Sequence, residues 1–445
     1  MVQLINSSVQ NIHQIINREN LTPYQWQIVF ACFLMVLLDG LDIAIVAYIG
    51  PVLKQELSLS SDSLSYLFVS GVLGLMVGSM LFGPLADRYG RKKTLIISTI
   101  LYSTTTVLCG SSPNLTALVI FRFLTGLGLG GAMPISLSLC AEYMPQKHKM
   151  LLSTLAWCGF TLGIALGGVV ATFLLPILNW RWLFYLAGIT PLLALVIIIS
   201  TLPESFEYLL RSKKTTALIK VQHTLNRLYG SKYTLQKHET IGETITKEPI
   251  KQLFSSQYRY LTLALWLSFF GSLLLFYLLT YWIPIVLENF YTFDQVNLIT
   301  MMLPIGGTIG AIILAHYIDN HGKPFLTLGL AYLFASILLF FIGSTSTIYL
   351  ALLTTVFMIG FSIAGAQNGL NLVAATVYDN RIRATGVSWA MAIGRLGSIC
   401  GAYIGVWFTD DQQPMLLFSH LSFIALFCAV GLLSIHSARK GVWIK

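Results

Sequence analysis

Asp39 and Asp42 stand three residues apart in the middle of an otherwise apolar run, Tyr24 to Ile49. On a helix that spacing turns both carboxylates toward nearly one face. A charge at bilayer depth is costly and usually meets a cavity, a partner charge or a cargo. The chemistry within reach is reversible proton binding by a carboxylate in a low-dielectric setting. Two bases, Arg122 and Arg395, are also set in apolar runs. An arginine stays charged and its planar fork meets a carboxylate bidentately. Two acids and two arginines therefore point to the coupled handling of protons and an organic anion. The alternative is a set of fixed ion pairs that hold helices together. At about 1.5 Å per residue, Asp42 and Arg122 each lie about 10 Å from the outer end of their segments, so they can meet at one level. Asp39 and Arg395 fall nearer the midplane.

The elements that position these residues are membrane helices. Hydrophobic residues make up 56% of the chain and charged residues 10%, against roughly 25% charged in a soluble domain. Twelve apolar runs are expected to cross a bilayer, at 25–49, 64–86, 94–111, 115–141, 150–175, 182–202, 260–284, 295–317, 324–343, 348–376, 384–408 and 415–436. No cleavable signal precedes them. Residues 1–23 are polar, with helical spacing at Val9, Ile12, Ile15 and Ile16, readable as a helix on the membrane surface or as a disordered tail. Thr22-Pro23 reads as an N-cap and first-turn proline.

The net charge of +9 describes topology rather than a nucleic-acid partner. Arg88, Arg91, Lys92 and Lys93, then Lys147 and Lys149, then nine bases within 203–258, fall in alternate loops. The intervening loops near 285–294 and 409–413 carry Glu288, Asp294, Asp410 and Asp411. By the positive-inside rule both termini are cytoplasmic. The six cysteines lie in or beside apolar runs without a CxxC pair, as small core residues do.

Residues 203–258 form the long polar stretch and separate six apolar runs from six more. The expected organisation is a 1–23 tail, a 24–202 half, a 203–258 cytoplasmic loop, a 259–437 half and a 438–445 tail. A shift of 232 positions lays Asp87 on Asp319, Gly90 on Gly322, Arg91 on Lys323 and Trp157 on Trp389, the residue of a duplicated six-helix half.

The loop after the second segment reads Gly83-Pro84-Leu85-Ala86-Asp87-Arg88-Tyr89-Gly90-Arg91-Lys92-Lys93. It resembles the loop signature of the major facilitator superfamily. That resemblance implies an all-α membrane protein of twelve helices in two pseudo-symmetric halves. It implies gating roles for Gly83, Asp87, Arg88 and Arg91, and for Asp319 in the degenerate second copy. Asp39-Gly40-Leu41-Asp42 is similar to the D-G-x-D signature of the aromatic acid:proton symporters. So are the run from Arg122 to Pro134, and the run from Arg381 to Val387 leading to Gly394-Arg395-Leu396-Gly397. Leu202-Pro203-Glu204-Ser205 is shared more widely and discriminates little. Ile43 stands where the family often has a small polar residue. Gly159, Gly163, Gly167 and Gly168 keep the glycine frame of drug antiporters, but Ile164 replaces its proline, which leans toward symport. Glu142 and Arg383, at cytoplasmic helix ends, are expected to gate rather than bind.

An aromatic cargo needs flat apolar walls and a few polar groups. Phe276, Tyr277, Tyr281 and Trp282, then Gln367, Asn368 and Asn371, then Trp157 and Trp389 could supply them. Tyr281 and Trp282 could equally form an interfacial aromatic belt, and the last two tryptophans could simply pack. No ATP-binding loop, nucleophile elbow or metal-ligand spacing is present, so the chain is read as neither an enzyme nor an ATP-driven pump, with no cofactor or metal. Asn114-Leu115-Thr116 matches a glycosylation sequon. The resemblance thus implies proton-coupled uptake of a benzoate-type acid by alternating access. Asp39 and Asp42 would couple protons. Arg122, Arg395, Tyr277, Asn368 and Trp389 would bind substrate. The protein would be a monomer in a bacterial inner membrane, its partners the acid, protons and lipid. Another small organic acid, or an acid sensor that transports nothing, are the alternatives.

Overall fold

The computed structural model describes residues 3–6, 9–211, 215–236, 250–256, 258–345, 348–378, 383–409 and 416–438. Its elements run β1 (Gln3–Asn6), α1 (Val9–Arg18), α2 (Pro23–Glu56), α3 (Ser61–Tyr89), α4 (Arg91–Gly110), α5 (Leu115–Glu142) and α6 (Gln146–Leu174). They continue through α7 (Trp180–Thr201), α8 (Phe206–Arg211), α9 (Thr215–Tyr229), β2 (Tyr233–Gln236), α10 (Arg259–Leu287), α11 (Phe293–His321) and α12 (Pro324–Thr345). The last are α13 (Tyr349–Val377), α14 (Arg383–Ile404), α15 (Val406–Thr409) and α16 (Leu416–Ala438). Eleven of the described helices are long and apolar enough to span a membrane. The expected third segment, α4, is equally long but is diluted by its basic start and by a stripe of Ser and Thr, for a reason given below.

Local signals explain the helix ends. The Thr22 and Gln25 side chains each accept from the other's backbone N–H (3.3 and 2.9 Å) ahead of α2, a reciprocal cap. Asn114, the sequon residue, is the N-cap of α5, accepting from the Ala117 N–H at 2.9 Å. Gly90 and Gly322 end α3 and α11 with φ of 105° and 63°, values that favour glycine. They are residues paired by the 232-position offset, so the duplication survives in backbone geometry.

Packing divides the chain into two compact units. The first holds Met1–Asp42, Leu73–Gly163 and Phe184–Ile245; the second holds Ile43–Val72, Ile164–Leu183 and Thr246–Lys445. In the first unit, backbones approach at glycines. A methyl on Gly40 would stand 2.1 Å from the Phe160 carbonyl oxygen, and one on Gly163 2.0 Å from that of Leu37, so α2 and α6 touch along their main chains. Gly74 and Gly78 set α3 against the Phe123 and Leu127 carbonyls of α5 in the same way. Small residues are what permit such contact.

The N-terminal segment also belongs to the first unit. Ile12, Ile15 and Ile16 of α1 are buried against protein, so the apolar spacing read in the sequence is the packed face of a helix. β1 pairs in parallel with β2, Gln3 opposite Tyr233, and Glu19 accepts from both Lys232 and the Tyr233 hydroxyl.

In the second unit, Gly306 and Gly310 set α11 against the Phe357 and Phe361 carbonyls of α13, and Gly397 and Gly401 set α14 against those of Phe270 and Leu274 in α10. Tyr281 and Trp282 are fully buried. Phe68 stacks on Tyr281 at 4.5 Å between ring centroids, and the Trp282 indole donates to the Ala402 carbonyl at 3.0 Å. They are core residues of this unit, not an interfacial belt.

Candidate functional site

The two aspartates of α2 have opposite surroundings. Arg122 of α5 donates to Asp42 Oδ2 at 2.8 Å, and Thr106 of α4 donates to Asp42 Oδ1 at 2.8 Å. Thr106 is backed in turn by Thr125 and Thr105. Arg122 and Asp42 are almost fully buried, so each charge is balanced by the other, as a buried pair requires. Asp39, 2% exposed, completes no hydrogen bond from either oxygen among the described residues. A buried carboxyl without a donor is far less costly as the neutral acid than as the anion. One turn of helix thus carries one carboxylate paired with an arginine and, beside it, one that is buried with no donor among the described residues.

The structure brings Asp42 and Arg122 together as their equal depth suggested. Thr106 was not singled out. Its signal was present as the polar spacing Ser98, Thr99, Tyr102, Ser103, Thr105 and Thr106, which makes α4 the least apolar long helix and is buried throughout.

Arg395 lies in the second unit, half-buried on α14. It donates to the Tyr277 hydroxyl of α10 at 3.4 Å and has no carboxylate within ion-pair distance among the described residues. A guanidinium carries five donors, and the bond to Tyr277 engages one of its nitrogens. Asn368 is half-buried on α13. Trp389 stacks on Trp266 of α10, with ring centroids 5.9 Å apart, a packing contact.

The signature loop separates into two parts. Arg91 donates to Glu142 at 2.8 Å and to Glu207 at 3.0 Å. Glu142 also accepts from Ser205 Oγ (3.0 Å) and from the Glu207 N–H (2.9 Å). Glu204 accepts from the Lys92 N–H at 2.9 Å and lies so close to Gly90 that a side chain there would strike it. The ends of α3, α4, α5 and α8 are thus tied at one point. The Leu-Pro-Glu-Ser stretch, read from sequence as weakly discriminating, supplies Glu204 and Ser205. Beside this network lies a polar cleft of about 500 Å³ whose wall includes His13 and Asn17 of α1. Gly83, Asp87 and Arg88 are exposed, with Arg88 over the Tyr89 ring. Asp319 is exposed on α11. Arg383 begins α14, but its side chain lies outside what the structure describes.

Comparison with known proteins finds similarity over most of the chain. The family model of the Major Facilitator Superfamily matches residues 32–402 and 287–442. The chain is 37% identical over 399 residues to the 4-hydroxybenzoate transporter PcaK of Pseudomonas aeruginosa, covering 89% of this chain and 88% of that protein. It is 36% identical over 429 residues to the gallate transporter of Pseudomonas putida, covering 95% and 94%. In fold it is similar to the xylose transporter XylE from E. coli in a partially occluded inward-open conformation. That likeness has a TM-score of 0.71 at 18% identity and covers 95% of this chain and 98% of that one.

Proposed function

The chain belongs to the major facilitator superfamily, and on that premise we propose that it takes up an aromatic carboxylate together with protons by alternating access. The relatives' substrates, 4-hydroxybenzoate and gallate, support a hydroxylated benzoate as cargo. The observation that carries the coupling is the asymmetry of the two aspartates. Asp42 is held by Arg122 and Thr106, whereas Asp39 is buried without a donor. Asp39 carries the proton, and Asp42 is the fixed counter-charge of Arg122. Arg395, whose fork is mostly unspent, receives the substrate carboxylate, and the Tyr277 hydroxyl orients it. Arg122 serves the aspartate rather than the cargo in this state. The Arg91–Glu142–Glu207 network holds helix ends together in one conformation and releases them in the other.

The basic ends of α4 and α6 support a cytoplasmic N terminus, in a bacterial inner membrane. One chain carries both halves of the duplication, which supports a working monomer. Inward proton movement supplies about 2.3 kcal/mol per charge per 100 mV. The test is uptake of labelled 4-hydroxybenzoate into proteoliposomes with an imposed pH gradient. Accumulation that a protonophore abolishes is expected, with D39N losing accumulation but still exchanging internal for external substrate. Binding with no accumulation in the wild type would make the protein a sensor and overturn the reading.

A further inference from the structure

The second unit gathers Ile43–Val72, which belong by sequence to the first half of the duplication, with Thr246–Lys445. Within it, the end of α2 and the start of α3 pack on the end of α10. Phe68 of α3 is buried. Its ring lies nearly parallel to that of Tyr281, 4.5 Å away between centroids, and edge-on to Trp282 at 5.9 Å. A methyl on Gly50 of α2 would stand 3.4 Å from the tip of the Phe68 ring and 3.7 Å from Ile285, so α2, α3 and α10 meet around this ring. One helical turn further on, Lys54 in the last turn of α2 pairs at 3.6 Å with Glu288, the C-cap of α10. The two sides of the contact are built differently. Trp282 is fixed to α14 by its bond to the Ala402 carbonyl, and a methyl on Gly405 would strike its ring. Phe68 brings ring contact alone, which parts without stranding a buried hydrogen-bonding group. The Lys54–Glu288 pair is partly exposed, and such pairs add little stability. The Tyr281 ring in turn stands 5.9 Å from that of Tyr277, whose hydroxyl accepts from Arg395 at 3.4 Å.

We propose that Phe68 stacked on Tyr281, with the Lys54–Glu288 pair beyond it, is the outer gate of the transport path. With the N terminus cytoplasmic, as proposed above, α2 and α10 both end on the outer side. Shut, the Phe68 ring stands between the Tyr277–Arg395 pair and the outer solution. In the other conformation of alternating access the first half carries Phe68 and Lys54 away from α10, and an acid from outside reaches Arg395. Phe68, Tyr281, Lys54 and Glu288 are positioning residues: they set when the cargo meets Arg395, and they neither hold its carboxylate nor carry the proton.

The proposal rests on the alternating-access reading with Arg395 as the cargo's arginine, and its first test needs no cargo. Y277C in the full chain sets a reporter thiol behind the gate. A membrane-impermeant maleimide is added outside sealed proteoliposomes of known orientation, and the wild type, with its six cysteines, supplies the background. The thiol is reached only while a minor open state is populated, so F68A/Y277C should label at least about tenfold faster than Y277C. Equal rates, or acceleration only with reagent enclosed inside, overturn the proposal. A second variant decides if F68A/Y277C does not fold. K54C/E288C is bridged from outside with an impermeant bifunctional methanethiosulfonate, and its exchange of 4-hydroxybenzoate before bridging is the reference. Bridged, exchange should fall at least about tenfold and return when the bridge is reduced. Exchange that survives the bridge means that this contact never has to open, and overturns the proposal. If the wild type neither accumulates nor exchanges 4-hydroxybenzoate, the cargo reading is what fails, and the labelling rates still judge the gate.

Discussion

At the scale of single residues, Arg122 and Asp42 are expected to matter through each other. The R122M variant leaves Asp42 buried with only Thr106 beside it, and removing one member of a buried pair costs about 3–5 kcal/mol. The D42N/R122M double variant leaves no buried charge and should recover most of that loss. Melting temperatures of the purified variants in detergent check this, and additive losses would mean the pair is not the unit. Arg395 behaves differently, since it meets no carboxylate among the described residues. R395K keeps the charge but loses the planar fork, so the KM for a benzoate should rise about tenfold or more with little change in melting temperature. A matching fall in stability would make Arg395 a packing residue instead.

At the scale of elements, the glycine between the two aspartates has a physical reason that the sequence does not display. Gly40 meets the Phe160 carbonyl of α6, and a methyl would be placed 2.1 Å from it. Overpacking of this kind costs about 1–3 kcal/mol, and it would displace Asp39 and Asp42 together. G40A should therefore abolish gradient-driven uptake while lowering the melting temperature only modestly; normal uptake would show that the α2–α6 contact is slack. Hydropathy and helix rise made the spans and the Asp42–Arg122 level readable, because both depend on residues within one helix. They said nothing of Thr106 or Glu207, whose partners come from other helices at registers a single sequence does not encode. α4 is the least apolar of the expected spans for the same reason it matters: its polar stripe supplies Thr106 to Asp42. The clasp between α1 and β2 has a pH dependence of its own. Lys232 and Tyr233 hold the Glu19 carboxyl below the usual glutamate range by donating to it. A depressed carboxyl stabilises where it is ionised, so the clasp is complete above about pH 4.3 and weakens as the pH falls through the lowered value. Hydrogen exchange of residues 3–6, corrected for intrinsic rates, should show protection at pH 7 that E19Q removes. Equal protection in both proteins would assign the strand pairing to the backbone alone.

At the scale of the whole molecule, the duplication reaches beyond loop motifs to how helices touch. Gly74 and Gly78 hold α3 against the Phe123 and Leu127 carbonyls in the first unit, and Gly306 and Gly310 hold α11 against those of Phe357 and Phe361 in the second. Both glycine pairs are related by the same 232-position offset as Gly90 and Gly322, which share a positive φ. Gly159 and Gly163 against α2 are answered by Gly397 and Gly401 against α10, so these two glycines of segment 5 are helix-packing contacts. Alternating access requires each half to move as a body, and main-chain contact at glycine is what makes a helix pair rigid. Equal geometry should then carry equal consequence. G74V and G306V each force a branched side chain to within about 2 Å of a carbonyl oxygen, as the methyl positions at 2.0 and 2.1 Å indicate. Both should cost about 1–3 kcal/mol and depress uptake to a similar degree. Paired melts and uptake rates measure this directly. If G306V is tolerated while G74V is not, the two halves do not share the load, and the second has kept the repeat's geometry without its mechanical role.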